Sequence, residues 1–400
     1  FNPKSVNYDK RFWYTNNGLM RYENPISEGD TDLDNFFDML TDLCKSETVP
    51  DIDFFINRRD FPIIKKDYTE PYNNIWNSDS HPLVSHKYEK YYPIFSSSIT
   101  HQFADILIPP AEDWARIMAK EGKVYPKYDR DFNDEFLTDW DDKKDIAVFR
   151  GSSTGIGVDI STNQRLKVAQ ISLKNRSYVD AGITAWKNRL RKIQGSDKLQ
   201  TFNKEHLPPL VSPLTPQEQS SYKYIIHIQG YVSAYRLSLE LSMKSVILFV
   251  KTPYKLWFED RLLPYVHYIP VKEDMSDLID IIKWCRENDQ KCREIAENAY
   301  KFYTTHLNKK SILKYISDTL KSIKRYIPTY IISYTKDPPL LIKNTPIDLN
   351  GLKTIFESRN TRVQTGVDKE GKTLCIKSSK HDLSIEGNIA VSYTHLTLPT

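Results

Sequence analysis

The sequence predicts an α/β fold organised around a parallel sheet of Rossmann type. From Ile146 onward, apolar runs of strand length alternate with segments of helical period, which is the pattern of strand–helix–strand units. One run, residues 246–250, is apolar at every position, as suits a strand covered on both faces. Two strands lead into loops rich in glycine and hydroxyl residues, and sheets of this kind bind ligands at such strand ends.

Residues 1–145 form a first domain that is aromatic, acidic and interrupted by prolines. Within it residues 51–57 are strand-like, and residues 105–108 are a short apolar run stopped by Pro109 and Pro110. Residues 114–120 begin a helix, and the acidic stretch 129–144 reads as a solvated connector. A second domain covers residues 146–325. It opens with a buried strand over 146–149, a small-residue loop and a helix over 163–173. Residues 222–228 are the next strand, followed by a helix over 233–243, the strand 246–250 and a strand-like run over 267–271. Leu278, Ile281, Ile282 and Cys285 then fall at i, i+3, i+4 and i+7, the spacing of an amphipathic helix. Asp274 and Ser276 both suit its cap. Cys292, Ile295, Ala296, Ala299, Phe302 and Tyr303 repeat the pattern. Ile312, Leu313, Ile316, Leu320 and Ile323 draw a further stripe. Residues 326–390 read as a proline-rich linker and an additional module containing a hairpin over 363–377. Residues 391–400 resemble translated sequencing-adapter sequence and are set aside.

Composition narrows the function. The 400 residues are 40% hydrophobic and 27% charged, which excludes wholesale disorder. No apolar run approaches the ~20 residues of a membrane-spanning helix. A formal net charge of +4 is too small and too evenly spread for a nucleic-acid partner. The four cysteines include no C-x-x-C pair, so buried free thiols and a reducing compartment are expected. The chain begins at Phe1 without the apolar core of a signal peptide behind it, and a truncated start is an alternative.

Three segments carry candidate chemistry. Arg150, Gly151, Ser152, Ser153, Thr154 and Gly155 follow the first strand of the second domain. Backbone N–H groups there can meet a phosphate at the start of the next helix, and Arg165 lies in that helix's first turns. An ordinary Gly/Ser turn with an exposed arginine reads the same way. Gly230, Ser233 and Arg236 repeat the arrangement after the strand 222–228. Two such loops suggest a diphosphate at a topological switch point, and an ordinary Gly/Ser helix start with a surface arginine is the alternative for the second. Asp60 stands at a strand end before Pro62, where a carboxylate can act as general base or simply pair with Arg58 or Arg59. Asp141 with Asp142, and Asp51 with Asp53, are acid pairs better read as solvated surface acids, or in the second case as alternation along a strand, than as metal ligands. The histidines are dispersed and no metal site is predicted.

These segments together resemble glycosyltransferase family 90, which includes Rumi-like protein O-glucosyltransferases and fungal capsule xylosyltransferases. The matching stretches are residues 54–62, 149–155 with 163–165, 179–183, 222–226, Gly230 with Ser233 and Arg236, and 257–259 running to 267–271. They hold their order over roughly residues 45–325. The wording of the Ser-Ser-Thr-Gly loop is similar to members found in large DNA viruses and protists. The resemblance implies a GT-B fold of two Rossmann-like domains facing a cleft. The activity implied is an inverting, metal-independent transfer of glucose or xylose from a UDP-sugar to a hydroxyl of a protein or glycan acceptor. It makes the first domain the acceptor side, with Asp60 as base. Ser152, Ser153, Thr154, Arg165, Ser233 and Arg236 fall on the diphosphate side, and Glu259 near the ribose or sugar. No cofactor beyond the donor is implied. The secretory-pathway enzymes carry several disulfides, whereas this chain has isolated cysteines, which favours a cytoplasmic or virus-factory setting. The alternative function is a catalytically silent glycan- or partner-binding module of the same fold.

Overall fold

The computed structural model describes residues 12–14, 20–22, 31–50, 52, 54–57, 60–66, 93–123, 138–188, 191–192, 199–202, 207–325, 350–357, 361–367 and 373–379. Two compact units emerge: Thr31–Ile323, and Phe1–Asp30 together with Lys324–Thr400. Residues 391–400, the proline-rich stretch 326–349, the hairpin turn 368–371, and Asp51, Asp53, Arg58 and Arg59 lie outside the described residues. In the smaller unit Phe12–Tyr14 (β1) pairs antiparallel with Met20–Tyr22 (β2).

The larger unit opens with Thr31–Ser46 (α1), in a stretch whose sequence suggested only aromatic and acidic character. Phe36, Met39, Leu40 and Leu43 are buried along it, again at i, i+3, i+4 and i+7. Phe55–Ile56 (β3), Ile94–Ser96 (β4) and Ile106–Leu107 (β5) form a small parallel sheet in that order. The strand expected over 51–57 contracts to β3. Ala111–Lys120 (α2) starts directly after Pro110, three residues earlier than expected, and buries Ala111, Trp114, Ala115 and Met118. A proline just before a helix gives up no intrahelical hydrogen bond.

The stretch before the second sheet is not a solvated connector at its end. Trp140 is buried and donates its indole N–H to Asp289 at 3.0 Å. Lys143 is also buried; its ammonium donates to the carbonyls of Ser220 and Met243 and to Ser245 Oγ. Burial lowers its pKa to about 8. The strand Lys144–Gly151 (β6) therefore starts two residues before Ile146.

Chain order continues with Gln164–Lys174 (α3), Val179–Ile183 (β7), the short antiparallel pair Arg191–Lys192 (β8) and Leu199–Gln200 (β9), and Pro216–Ser220 (α4). Tyr222–His227 (β10), Leu237–Leu241 (α5), Val246–Val250 (β11) and Ile269–Val271 (β12) follow. The unit ends with Leu278–Glu287 (α6), Asp289–His306 (α7) and Lys309–Lys324 (α8). Strands β6, β7, β10, β11 and β12 make one five-stranded sheet in the order β12-β11-β10-β6-β7, parallel throughout. Helices α6 and α7 cover one face, where Leu278, Ile282, Cys285, Cys292 and Ile295 pack on Phe149, Tyr224, Ile226 and Leu248. The architecture is α/β, with a parallel sheet in each half of this unit. The chain passes from β6 to β7 on one side and then to β10 on the other, so the switch point lies between β6 and β10.

Several boundaries differ from expectation for local reasons. The helix expected over 233–243 is only α5, because residues 230–236 form turns in which Gly230 N–H reaches Val232 O and Leu237 N–H reaches Ala234 O. The strand expected over 267–271 is β12 alone, since His267 Nδ1 is taken by the Leu263 N–H. Neither Asp274 nor Ser276 caps α6: Asp274 accepts from Ser276 N–H, and the residue at the cap, Asp277, accepts from Lys272 N–H. Cys285 and Cys292 are buried free thiols, and Cys44 is free and half-buried.

Helix α8 returns to the first elements of the unit. Lys309 pairs with Asp42 and Glu121, Lys321 pairs with Glu47, and Tyr315 donates to Leu107 O. Among the described residues no helix is long and apolar enough to cross a membrane. In the smaller unit Asn350–Glu357 (β13), Thr361–Val367 (β14) and Thr373–Ser379 (β15) form an antiparallel sheet; the last two are the expected hairpin, and β13 adds a third strand. Since Thr31–Ile323 is one compact unit, a chain ending at Lys324 should stay soluble. It should melt within about 4 °C of the full chain, a shift worth roughly 1 kcal/mol or so. A larger loss in a thermal scan would show that the tail belongs to the core.

Candidate active site

The switch point is organised by one side chain. Arg165, near the start of α3 and only 7% exposed, donates from Nη1 to Ser152 O (3.0 Å) and Thr154 Oγ1 (2.6 Å). Its Nε reaches Gln229 O (2.8 Å) and its Nη2 reaches Ile228 O (3.2 Å). The loop after β6 is thus pinned to the loop after β10. Space is tight where these loops crowd the guanidinium: a Cβ on Gly230 would lie 3.1 Å from Thr154 Oγ1 and 3.4 Å from Arg165 Nη2.

The sequence placed a phosphate at the amino ends of two helices. The structure sets both helix starts further from these loops. Residues 156–162 intervene between the loop and α3, in a turn closed by the Asp159 carboxylate on the N–H groups of Ser161 and Thr162. The first N–H groups of α3 are already met, because Asn163 Oδ1 accepts from Arg165 N and Leu166 N. Helix α5 is a single short turn that starts after Arg236. Ser233 does not cap it; Ser233 is buried and takes a hydrogen bond from Ser98 at 3.1 Å. Two arginine side chains bring charge to the switch point.

That charge is doubled by Arg236. Its Nη1 donates to Arg150 O at 2.5 Å, and its Nε lies 2.8 Å from Glu240 Oε1. Both guanidinium groups lie near the Phe149 ring, at 5.0 Å for Arg236 and 5.7 Å for Arg165. They converge at Gly151, where a Cβ would stand 3.3 Å from Arg165 Nη1 and 3.6 Å from Arg236 Nη1. Burial, and then the neighbouring Arg236 charge, lowers the Arg165 pKa to about 9. Glu240 lies behind them, 1% exposed. Its burial alone would raise its pKa, but neighbouring His227 and Arg236 outweigh this and hold it low. Buried His227 contacts Glu240 Oε2 through Nδ1.

The other expected residues take varied places. Arg150 turns to the sheet edge, pairing with Asp180 at 2.8 Å and donating to Ser212 O. Ser153 is buried, with its Oγ accepting from Lys187 N–H. Ser152 contributes its carbonyl, and Gly155 (φ 125°) packs over Asn163, in a conformation that L side chains avoid. Asp60 is exposed in the turn after β3. That turn is held from below: buried Asn57 donates to Phe61 O (2.7 Å) and Ser96 Oγ (2.9 Å), and Asp105 accepts from Ser96 Oγ, Ile63 N and Ile64 N. The loop after β4 then meets the second sheet's loops through Ser98 on Ser233 and a two-way backbone pairing of Ile99 with Lys255. Sequence reasoning missed Asp105, Asn57, His227 and Glu240. Only Glu240 left a signal, the one charged residue in the leucine- and serine-rich stretch 237–243.

Glu259 opens a single 3₁₀ turn, and its Oε1 accepts from Leu256 N–H at 3.0 Å. Burial raises its pKa to about 8, with Asp260 adding to the effect. The folded protein therefore holds a proton on Glu259 between about pH 4.5 and 8 that the unfolded chain releases, so this group's contribution to stability falls as pH rises through that window. Glu259→Gln should melt higher than the parent at pH 8, and the gap should shrink toward pH 5. A gap independent of pH in thermal scans would remove Glu259 as its source.

Relatives were found by sequence. The uncharacterized protein 179R of Invertebrate iridescent virus 6 is 45% identical over 386 residues, covering 86% of this chain and 32% of that protein. The uncharacterized protein 035R of Invertebrate iridescent virus 3 is 46% identical over 81% of this chain and 30% of its own length. The chain thus spans about a third of the length of these relatives. Rat protein O-glucosyltransferase 1 is 27% identical over 72% of this chain and 66% of its own. A family model covers β3 to α8 and the whole five-stranded sheet, matching residues 35–329, and the chain belongs to glycosyl transferase family 90.

Proposed function

We propose that this chain transfers a sugar from a UDP-sugar to an acceptor hydroxyl, with inversion and without a metal. The observation that carries the reading is the convergence of Arg165 and Arg236 on Gly151 at the sheet's switch point, with Glu240 as their buried counter-charge. Two cations beside one buried acid leave room for an anion of higher charge, and a diphosphate suits that. Arg165 is largely saturated by loop acceptors, so it lends charge and rigidity. Arg236, whose side chain is 27% exposed, is the better placed for direct contact.

In this mechanism Asp60 takes the proton of the acceptor hydroxyl as its oxygen bonds to the anomeric carbon. The bond from that carbon to the diphosphate oxygen breaks on the opposite face, and UDP leaves with the electron pair. The transition state has oxocarbenium character, as in glycoside cleavage. Fixed guanidinium charge meets the negative charge growing on the leaving group, the part a metal plays elsewhere. The names of the animal relatives favour glucose as the donor sugar, with xylose the second candidate; the acceptor is a protein or glycan hydroxyl.

The reading is tested by UDP release from UDP-glucose and UDP-xylose, with and without EDTA. Release from at least one donor, unchanged by EDTA, is expected. Loss of release in EDTA would overturn metal independence, and UDP binding without release from either donor would turn the protein into a binding module. Asp60→Asn should lower transfer by roughly 10²–10⁴-fold, the usual worth of a general base, with UDP affinity nearly unchanged. Transfer at close to the parent rate would remove Asp60 from the mechanism.

A further inference from the structure

Arg236 is held by an arrangement whose geometry does more than supply a counter-charge. Its Nε and Glu240 Oε1 lie 2.8 Å apart, yet they are not aligned as donor and acceptor, and among the described residues neither atom has another hydrogen-bond partner. The link is a charge contact across an i, i+4 spacing, not a directional bond. Glu240's second oxygen faces His227, which is 2% exposed and packs on Phe249 with ring centroids 4.8 Å apart. Phe249 in turn packs on Tyr268 at 5.2 Å. A fully buried carboxylate needs compensation on each side, and this one has it: His227 at the end of β10 behind, Arg236 in front. The rear support comes from a strand of the sheet and is fixed; the front partner is the cation with an exposed edge.

We propose that Glu240, backed by His227, is a positioning residue that holds the Arg236 guanidinium over Phe149 for the diphosphate of the nucleotide. The inference rests on the donor reading above and adds to it a residue that itself touches no ligand. Glu240 acts only through Arg236. A charged side chain with several rotatable bonds loses rotamer freedom on binding, and Glu240 removes part of that cost beforehand. The Arg150 carbonyl and the Glu240 carboxylate together keep the guanidinium in place, with its exposed edge left for the ligand.

The test is a double-mutant cycle on the full chain, reading affinity by calorimetry for UDP and, separately, for inorganic pyrophosphate. The variants are Arg236→Ala, Glu240→Gln and the pair. Glu240→Gln alone should weaken UDP roughly tenfold, within the range of coupling between contacting charged residues. In the Arg236→Ala background the same change should cost nothing further. Equal losses in both backgrounds would overturn the proposal, since a merely structural role for Glu240 does not depend on Arg236. Unchanged affinity for Glu240→Gln would overturn it too. Should Glu240→Gln fail to fold, His227→Gln serves in the same cycle, with the same coupled loss expected and the same additive result against it. If the parent binds pyrophosphate but not UDP, the uridine part of the donor reading fails, and the cycle in pyrophosphate still decides the role of Glu240.

Discussion

A guanidinium buried in a protein must have its N–H donors met, because an unpaired charged donor in the interior costs far more than any contact it displaces. Arg165 meets this constraint by collecting acceptors from two loops that are more than 60 residues apart in sequence. The loops after β6 and β10 are therefore not independent. Each supplies acceptors that the other's conformation presupposes, and the glycines at 151 and 230 give the guanidinium space. Arg236 then rests on Arg150 O, a carbonyl of the same strand end. The cation pair is thus fixed by the protein's own acceptors, the kind of arrangement under which electrostatic stabilisation costs no reorganisation.

Much of this was legible in the sequence. Fully apolar runs and i, i+3, i+4 stripes gave β11, α6, α7 and α8, since burial on two faces or along one stripe leaves a pattern at short range. The Gly- and Ser-rich loops and both arginines were visible for the same reason. What they do with their atoms was not. Ser233 and Ser153 look like phosphate ligands in one dimension, yet they bond to Ser98 and Lys187, partners 135 and 34 residues away. Arg150 belongs to a strand end in sequence but to the β7 edge in space. Helix α1 was readable from Phe36, Met39, Leu40 and Leu43, and the acidic residues between them obscured it. Asp105 left no trace, because a carboxylate that holds a loop by two backbone N–H groups looks like any acid before an apolar run.

The two halves of the larger unit are joined by buried polar contacts as well as by apolar packing. Asp113 on α2 accepts from Trp257 at 2.9 Å and from Ser238 on α5 at 2.5 Å, and it pairs with Arg116 at 2.6 Å. Arg116 also donates to Tyr235 O, the residue before Arg236. An acid at the start of α2 thus reaches the turn that carries Arg236. Polar networks of this kind fix one relative geometry where apolar packing alone tolerates sliding.

Helix α8 has a consequence for how the protein is made. Its partners lie on α1, at the end of α2 and at β5, and the pairing of Lys321 with Glu47 spans 274 residues. During synthesis at about 5–20 residues per second, α1 emerges on the order of tens of seconds before the helix that clasps it. Until then Glu47 and Asp42 lack their lysines and Leu107 O lacks the Tyr315 hydroxyl. Those contacts of the first half of the unit are completed only when the last helix of the second has been made.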